Sequence, residues 1–326
     1  MASGVQTETM TWVGKILAGL FIAHALVMAA SYLDEFWWGF EMLSHLRVQF
    51  AAGAAVFVAT FLIRRAHVTA AAAAILLLVN MVPLFPYLGF GQEARVHAGA
   101  AIRVMIFNLH QQQADLDALR RLIRREKADM VLITEFSTDP AVFLRDLDDI
   151  LPYRTGSARG GLFRVLLLSR LRVAAAQLHR PSLNFLPVLE ARLCRSGDCF
   201  TVLGLHAARP GGAVPTGWRD TMLKFVAGRA AASQDGRVIV MGDLNATPWS
   251  RAITRLMRIG GLRDAAIGSL FRSTWISRFP VLGLPLDHVL VGRGVGVSNR
   301  RVGVSIGSDH FPVIVDLTLP AADPAR

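Results

Sequence analysis

Lysine and cysteine are scarce in this 326-residue chain. Lysine occurs only at Lys15, Lys127 and Lys224, so the net charge of +11 comes almost entirely from arginine. The chain has two cysteines and no closely spaced pair of histidines, which argues against a structural zinc site. It also has no internal repeat and no low-complexity tract beyond the alanines at 70–74, which argues against a repeat architecture.

The net positive charge predicts a partner or substrate that carries phosphate groups. A strongly basic balance predicts attraction to phosphates, whether these belong to nucleic acid, lipid headgroups or small phosphoesters. It does not choose among the three. A coding bias towards arginine would produce the same balance without any dedicated polyanion surface.

Apolar residues are concentrated before residue 91. The whole chain is 53% hydrophobic and only 18% charged. The pattern predicts a membrane anchor over 1–92 with about three transmembrane helices, at 16–33, 46–63 and 68–88. The first run is alternatively a signal peptide cleaved after Ala29 or Ala30.

Charges beside these runs predict an orientation. Lys15 precedes the first run, Asp34 and Glu35 follow it, and Arg64 and Arg65 lie between the second and third runs. The positive-inside rule then places the N-terminus in the cytoplasm and the chain after residue 90 outside it. We therefore expect a multi-pass protein of the cell inner membrane with an extracytoplasmic C-terminal domain.

The two cysteines lie close together, at Cys194 and Cys199. A two-residue turn at Ser196 and Gly197 would place them opposite each other on a hairpin, within reach of a disulfide after a small closing movement. A disulfide is compatible with an oxidising compartment.

Residues 95–320 have the pattern of a mixed αβ domain, followed by a short tail at 321–326. Short apolar runs alternate with Gly, Pro and Asp turns and with amphipathic helical segments. The predicted strands include 102–108, 130–134, 162–168, 200–206, 238–242, 286–291 and 312–317.

Several of these strands end in polar side chains that suit metal binding or acid-base chemistry. Asn108 ends one strand, Glu135 follows the next, and His206 ends a third. Asp243 and Asn245 follow a fourth, where an extended chain would point both side chains into one pocket. The same segment is alternatively a plain turn before a helix.

Two acid and imidazole pairs occur nearer the C-terminus. Asp309 and His310 precede the last strand, and one loop can thus supply a metal contact and an imidazole. Asp287 and His288 lie within a strand, where the carboxylate could orient another residue's imidazole.

Taken in order, these motifs resemble the endonuclease/exonuclease/phosphatase superfamily over about residues 101–318. The resemblance implies an α/β (α+β) fold, a four-layer αββα sandwich of two mixed sheets, and a membrane-anchored, bacterial-type member. It implies a Mg²⁺ site, with Mn²⁺ as the other candidate ion, whose ligands are Asn108, Glu135 and Asp309. These are oxygen donors of the kind that hard cations prefer.

The resemblance also implies catalytic roles. His206 corresponds to a histidine that contacts the scissile phosphate, Asp243 to the residue that orients or deprotonates the attacking water, and Asn245 to a phosphate-supporting amide. Asp287 corresponds to the acid that pairs with the closing histidine, His310.

The expected function is metal-dependent hydrolysis of phosphate esters, with water activated by Asp243. The substrate is a lipid headgroup, a small phosphoester or a nucleic acid, the membrane is the other partner, and no obligate protein partner is expected. An endonuclease acting on DNA or RNA is the alternative activity. A non-catalytic membrane receptor or scaffold that retains the fold is the alternative of another class, although none of the main site positions is missing. A transporter would need more polar groups within its spans.

Overall fold

The apolar N-terminal sequence forms four helices in this computed structural model. The structure describes residues 12–90, 99–111, 113–136, 145–157, 164–182, 186–195 and 198–320, and divides into the units Met1–Leu84 and Phe85–Arg326. The helices of the first unit are α1 (Trp12–Ala30), α2 (Trp38–Ser44), α3 (Arg47–Ile63) and α4 (His67–Met81). Large apolar side chains of α1, such as Ile16, Leu20 and Leu26, are exposed.

The expectation of about three full-length membrane spans is wrong. Within the described part of the chain, α1 is the one helix long and apolar enough to cross a membrane, and the count rises to two if α2 and α3, bent by 62°, form one span. The run expected at 68–88 yields only the 15 residues of α4. The chain then turns near Pro83 and Pro86, because proline cannot continue a helix. Signal sequences share the length and composition of α1, so α1 alone does not establish a multi-pass protein.

The second unit begins with a short 3-10 helix, Phe85–Tyr87, and then alternates strands with helices. Its strands are β1 (Gly99–Asn108), β2 (Met130–Thr134), β3 (Tyr153–Gly156), β4 (Val165–Ser169), β5 (Arg172–His179), β6 (Val188–Arg195), β7 (Asp198–His206), β8 (Val238–Asp243), β9 (Leu262–Asp264), β10 (Asp287–Gly292), β11 (Gly296–Val302) and β12 (Val313–Pro320). Its helices are α5 (Leu116–Glu126), α6 (Ala213–Ala231) and α7 (Arg251–Gly260).

The strands form two mixed six-stranded sheets. Sheet A has the order β11-β12-β1-β2-β4-β3, and sheet B has the order β5-β6-β7-β8-β10-β9. Each contains one parallel pair, β1 with β2 and β7 with β8, among antiparallel neighbours. Fully buried side chains from both sheets, including Val104, Leu167, Val202 and Met241, form the central core.

Helices cover the outer faces of the two sheets. Leu119 and Ile123 of α5 pack in a cluster with sheet A, and Val226 of α6 and Ile253 of α7 pack in a cluster with sheet B. The layers are therefore helix, sheet, sheet and helix, as expected for the superfamily. Asp115 is the N-cap of α5: its side chain accepts hydrogen bonds from two backbone N–H groups in the first turn of the helix.

The cysteines lie on the neighbouring strands β6 and β7. Cys194 and Cys199 are directly opposite in the antiparallel register, with their Cα atoms 4.1 Å apart, and are joined by a disulfide. The pairing predicted from their spacing is therefore present. The turn expected at 196–197 lies outside the described residues.

Candidate active site

Most of the candidate site residues predicted from the sequence lie close together, at neighbouring strand ends of the two sheets. Parallel pairing aligns Asn108 with Thr134 and His206 with Asp243. Antiparallel pairing of β10 with β8 places Asp287 opposite Asp243. The Asn108 Nδ2 donates a hydrogen bond of 3.1 Å to the Asp243 Oδ2, which links sheet A to sheet B at this edge.

Asp243 is the centre of this cluster and is almost fully buried, at 1% exposed. Its Oδ1 accepts a hydrogen bond of 2.9 Å from the backbone N–H of Asn245. Its Oδ2 lies 3.5 Å from the His206 Nε2 and 3.7 Å from the His310 Nε2. One carboxylate therefore lies between two imidazoles.

The backbone beside Asp243 requires a glycine. Gly242 has φ +149°, and a Cβ atom there would lie 1.8 Å from the carbonyl oxygen of Leu205 on β7. No side chain fits at that distance, so β8 can approach β7 this closely only with glycine at this position.

His206 connects sheet B to Glu135 of sheet A. Its Nε2 lies 3.4 Å from the Glu135 Oε1 and 3.2 Å from the Asn245 Nδ2. The same Asn245 Nδ2 donates a hydrogen bond of 2.9 Å to the carbonyl of Ala207. Glu135 and Asn245 both have positive φ, +52° and +50°, a conformation rare in residues other than glycine and concentrated at functional sites.

His310 is held by Asp287. The His310 Nδ1 lies 2.8 Å from the Asp287 Oδ2, and the Nε2 on the other side of the ring faces Asp243. A carboxylate on one ring nitrogen fixes the orientation of the imidazole. The next residue on β10, His288, points away and contacts Asp264 at 3.3 Å and the carbonyl of Ala246 at 2.8 Å.

The two imidazoles differ in charge. Burial lowers the pKa of His206, so this ring is neutral at pH 7. Burial also acts to lower the pKa of His310, but the charges of Asp287 and Asp243 outweigh it and raise that pKa to about 10. Burial raises the pKa of Asp243 to about 6, although the positive charge of His310 acts in the opposite direction. At neutral pH the site thus combines a carboxylate, a neutral imidazole and an imidazolium.

Asp309 lies to one side of this cluster. Its carboxylate pairs with the His110 Nδ1 and accepts a hydrogen bond of 3.0 Å from the indole Nε1 of Trp275. The Asn108 Oδ1 meanwhile accepts a hydrogen bond of 2.9 Å from the backbone N–H of His110. Of the three expected metal ligands, Glu135 is the one whose oxygen meets other ligand atoms in the cluster.

The donor set at this edge suits a cation. In the described part of the chain, ligand atoms of Glu135, His206 and Asp243 lie within 4.8 Å of one another, and so do those of Asp243, Asp287 and His310. Two carboxylates that converge on a neutral imidazole place negative charge around one point, which a divalent cation would offset.

Three residues beside the site were not assigned to it from the sequence. His110 contacts Asp309, and Trp275 donates to the same carboxylate. The guanidinium of Arg209 lies over the Trp275 ring, 5.5 Å from its centroid. The sequence spacing gives no indication that Trp275 contacts Asp309. The position of Arg209, three residues after His206, could have indicated a residue close to the site.

A family model matches this chain over the region that carries the site. The model of the Endonuclease/Exonuclease/phosphatase family matches residues 105–310, which is well over half of the chain. The chain belongs to this family. Family members are hydrolases that act on phosphoesters, and they generally depend on divalent metal ions.

Curated relatives share part of the sequence. The UPF0294 protein of Vibrio parahaemolyticus is 29% identical over 129 residues, which is 38% of this chain and 42% of that protein. The UPF0294 protein of Erwinia tasmaniensis is 40% identical over 85 residues, 25% of this chain and 28% of that protein. The match thus spans less than half the length of either relative.

Solved structures share the fold. An endonuclease/exonuclease/phosphatase protein of Beutenbergia cavernae has a TM-score of 0.58 at 19% identity, covering 68% of this chain and 72% of its own. The mannosyl-6-phosphatase of Bacteroides thetaiotaomicron has a TM-score of 0.53 at 15% identity, covering 67% of this chain and all of its own. At such identities the likeness shows the fold alone.

Proposed function

We propose that this family member hydrolyses phosphate esters in a metal-dependent reaction, with Asp243 activating the attacking water. The observation that carries the proposal is the placement of the buried Asp243 carboxylate between the imidazoles of His206 and His310. A general base works best when its pKa lies near the working pH. Burial raises the pKa of Asp243 towards that range.

The bond changes are those of hydrolysis at phosphorus. The water oxygen bonds to phosphorus while a proton passes to the Asp243 carboxylate. The P–O ester bond breaks, and the leaving oxygen takes up a proton to give an alcohol. His310, as an imidazolium held by Asp287, supplies positive charge for the phosphoryl oxygens, and the amide of Asn245 and the ring of His206 support the phosphate.

Glu135 is the main proposed holder of a divalent cation, Mg²⁺ or Mn²⁺. Asn108 and Asp309, whose side-chain oxygens accept hydrogen bonds from the His110 backbone and the Trp275 indole, are the further ligands that the family resemblance implies. The cation would neutralise charge on the non-bridging oxygens of the ester. Support comes from the oxygen donors at this edge and from the position of Glu135 beside His206 and Asp243.

Alanine variants of Glu135 and His310 test this assignment in the full chain. Turnover of bis-p-nitrophenyl phosphate with Mg²⁺ should fall by about 10²- to 10⁴-fold in each variant, because each loses a group that stabilises or organises the transition state. Chelation of the metal should abolish turnover by the unmodified protein.

Matched control residues lie away from the candidate site, on helix α5 and on strand β5. Glu126→Ala removes a carboxylate that pairs with Arg301 at the far end of α5, and His179→Ala removes an imidazole that pairs with Glu190. Both control variants should keep activity close to that of the unmodified protein. Full activity in Glu135→Ala and His310→Ala, or turnover indifferent to chelation, would reject the assignment.

A further inference from the structure

An exposed apolar hairpin is hydrogen-bonded directly to the candidate site. Residues 273–284 leave the domain and return, with the Trp275 N–H bonded to the Leu284 carbonyl at 2.9 Å and the Ser273 hydroxyl bonded to the Pro280 carbonyl at 2.8 Å. We call this segment the Trp275 hairpin. At its tip, Phe279, Val281 and Leu282 are 64%, 88% and 63% exposed.

The base of the Trp275 hairpin supports the loop that carries Asp309 and His310. Trp275 donates from its indole to the Asp309 carboxylate, and the Ser277 N–H donates to the Asp309 carbonyl at 2.8 Å. The Ser277 hydroxyl donates to the Ser308 carbonyl at 2.7 Å. Hydrogen bonds at the base of the hairpin therefore connect its exposed tip directly to the loop that carries Asp309 and His310.

A second exposed apolar group lies at the start of the same segment. Leu270 forms an isolated bridge with Leu88, and the rings of Phe85 and Phe90 stack on each other with centroids 6.4 Å apart. Leu270, Phe85 and Phe90 are each at least 60% exposed. Within the same unit, the Tyr87 ring packs edge-on against Trp249.

The charge around the tip suits an anionic surface. Between Asp264 and Asp287 the sequence contains Arg272 and Arg278 and no acidic residue, and both arginines are exposed. Apolar side chains flanked by arginines are the pattern of segments that bind at the interface of a membrane, where the cations meet lipid phosphates. A tip with three large apolar side chains is small for a stable protein interface, which takes about 800 Å² from each partner.

We propose that the tip of the Trp275 hairpin inserts into a lipid bilayer and that the adjoining site takes phosphoester headgroups of membrane lipids as substrates. The substrate part of this proposal rests on the hydrolase function proposed above. Helix α1 of the same chain is also exposed and is long and apolar enough to cross a membrane.

Insertion can be measured without any activity. The two native cysteines are bonded to each other, so Phe279→Cys adds a reactive thiol for an environment-sensitive fluorophore. The labelled full chain is reconstituted into vesicles of phosphatidylcholine and phosphatidylglycerol that contain spin-labelled lipid. Ile259→Cys is the matched control, because Ile259 is also exposed but lies beside Gly236 and Val238, at the end of β8 away from Asp243.

The proposal expects strong quenching of the label at position 279 and little at position 259. Equal quenching at the two positions, or none at position 279, would overturn insertion whether or not the protein is a hydrolase.

The substrate part is tested by activity. The double variant Phe279→Ser with Leu282→Ser should lower hydrolysis of phosphatidylglycerol in vesicles by about tenfold or more, since it removes two large apolar side chains that would be buried in the bilayer. Its turnover of soluble bis-p-nitrophenyl phosphate should stay unchanged, as should both activities of Ile259→Ser. Cleavage of DNA but not of vesicle lipid, or an equal loss on the soluble ester, would overturn the lipid assignment. A chain that cleaves no ester at all would instead refute the hydrolase function, and the quenching result would still decide insertion.

Discussion

Asp287 and His288 are neighbours on one strand, yet they serve two different pairs. Successive side chains of a strand point to opposite faces. Asp287 accordingly meets His310 at the site, and His288 meets Asp264 and the Ala246 carbonyl on the other side of the sheet. The sequence shows two adjacent groups with similar chemistry, and the pleat of β10 separates their roles.

Asp287→Asn tests the first pair. The amide keeps the shape of the carboxylate but removes the charge that orients and stabilises the imidazolium of His310. We expect kcat for bis-p-nitrophenyl phosphate to fall by about 10²- to 10⁴-fold, with a smaller change in KM, as for loss of an interaction made in the transition state. The thermal midpoint of the variant is the accompanying measurement. An unchanged kcat in a folded variant would show that the pair has no part in turnover.

At the same scale, the sequence identified most of the side chains that meet at the site, because strand ends carry polar residues after apolar runs. Asn108, His206 and Asp243 follow that rule. His110 and Trp275 do not, because their contacts with Asp309 depend on tertiary folding rather than on spacing.

At the scale of elements, strands with continuous apolar runs were predicted well, and strands that are short or interrupted by polar residues were missed. The interior strands β2 and β8 begin and end within a residue of their predicted limits. The edge strand β5 and the short strand β9 have few buried apolar side chains and were not predicted. Their pairing comes from backbone hydrogen bonds to a neighbouring strand, which composition does not reveal.

The second acid and imidazole pair joins the last residue of the short strand β9, Asp264, to His288 of β10. Burial acts against ionisation of Asp264, but the hydrogen bond and charge of His288 outweigh it, so the pKa of Asp264 lies below its ordinary value. A lowered folded-state pKa means that the pair stabilises the fold above the ordinary pKa, about 3.9, and that this stabilisation is lost as the pH falls through the lowered value.

Asp264→Asn should therefore destabilise the protein at neutral pH and have less effect in acid. We expect a loss of about 3 kcal/mol at pH 7, typical of breaking a buried pair, with the difference from the unmodified protein shrinking as the pH falls below about 4. Denaturant unfolding of the full chain at a series of pH values measures this. A difference that stays constant or grows in acid would contradict the pairing.

At the scale of the whole molecule, the main difference from expectation lies in the membrane anchor. Hydrophobic run length overestimated the number of full-length spans. The run at 68–88 yields only the 15 residues of α4 before the prolines, and α3, with 17 residues, counts as part of a span only together with α2, from which it is bent by 62°. The extracytoplasmic location of the second unit, Phe85–Arg326, stays a prediction. The disulfide between Cys194 and Cys199 supports it, because such bonds persist mainly in oxidising compartments.

The central claim is that water, activated by Asp243, attacks phosphorus. Its most direct test is to let the full chain cleave a phosphodiester in H₂¹⁸O with Mg²⁺ and to determine which product carries ¹⁸O. Mass spectrometry of the products should find ¹⁸O in the phosphate-bearing product and none in the released alcohol, because the P–O bond is the one that breaks. Label in the alcohol, or products without label, would contradict hydrolysis at phosphorus and with it the role assigned to Asp243.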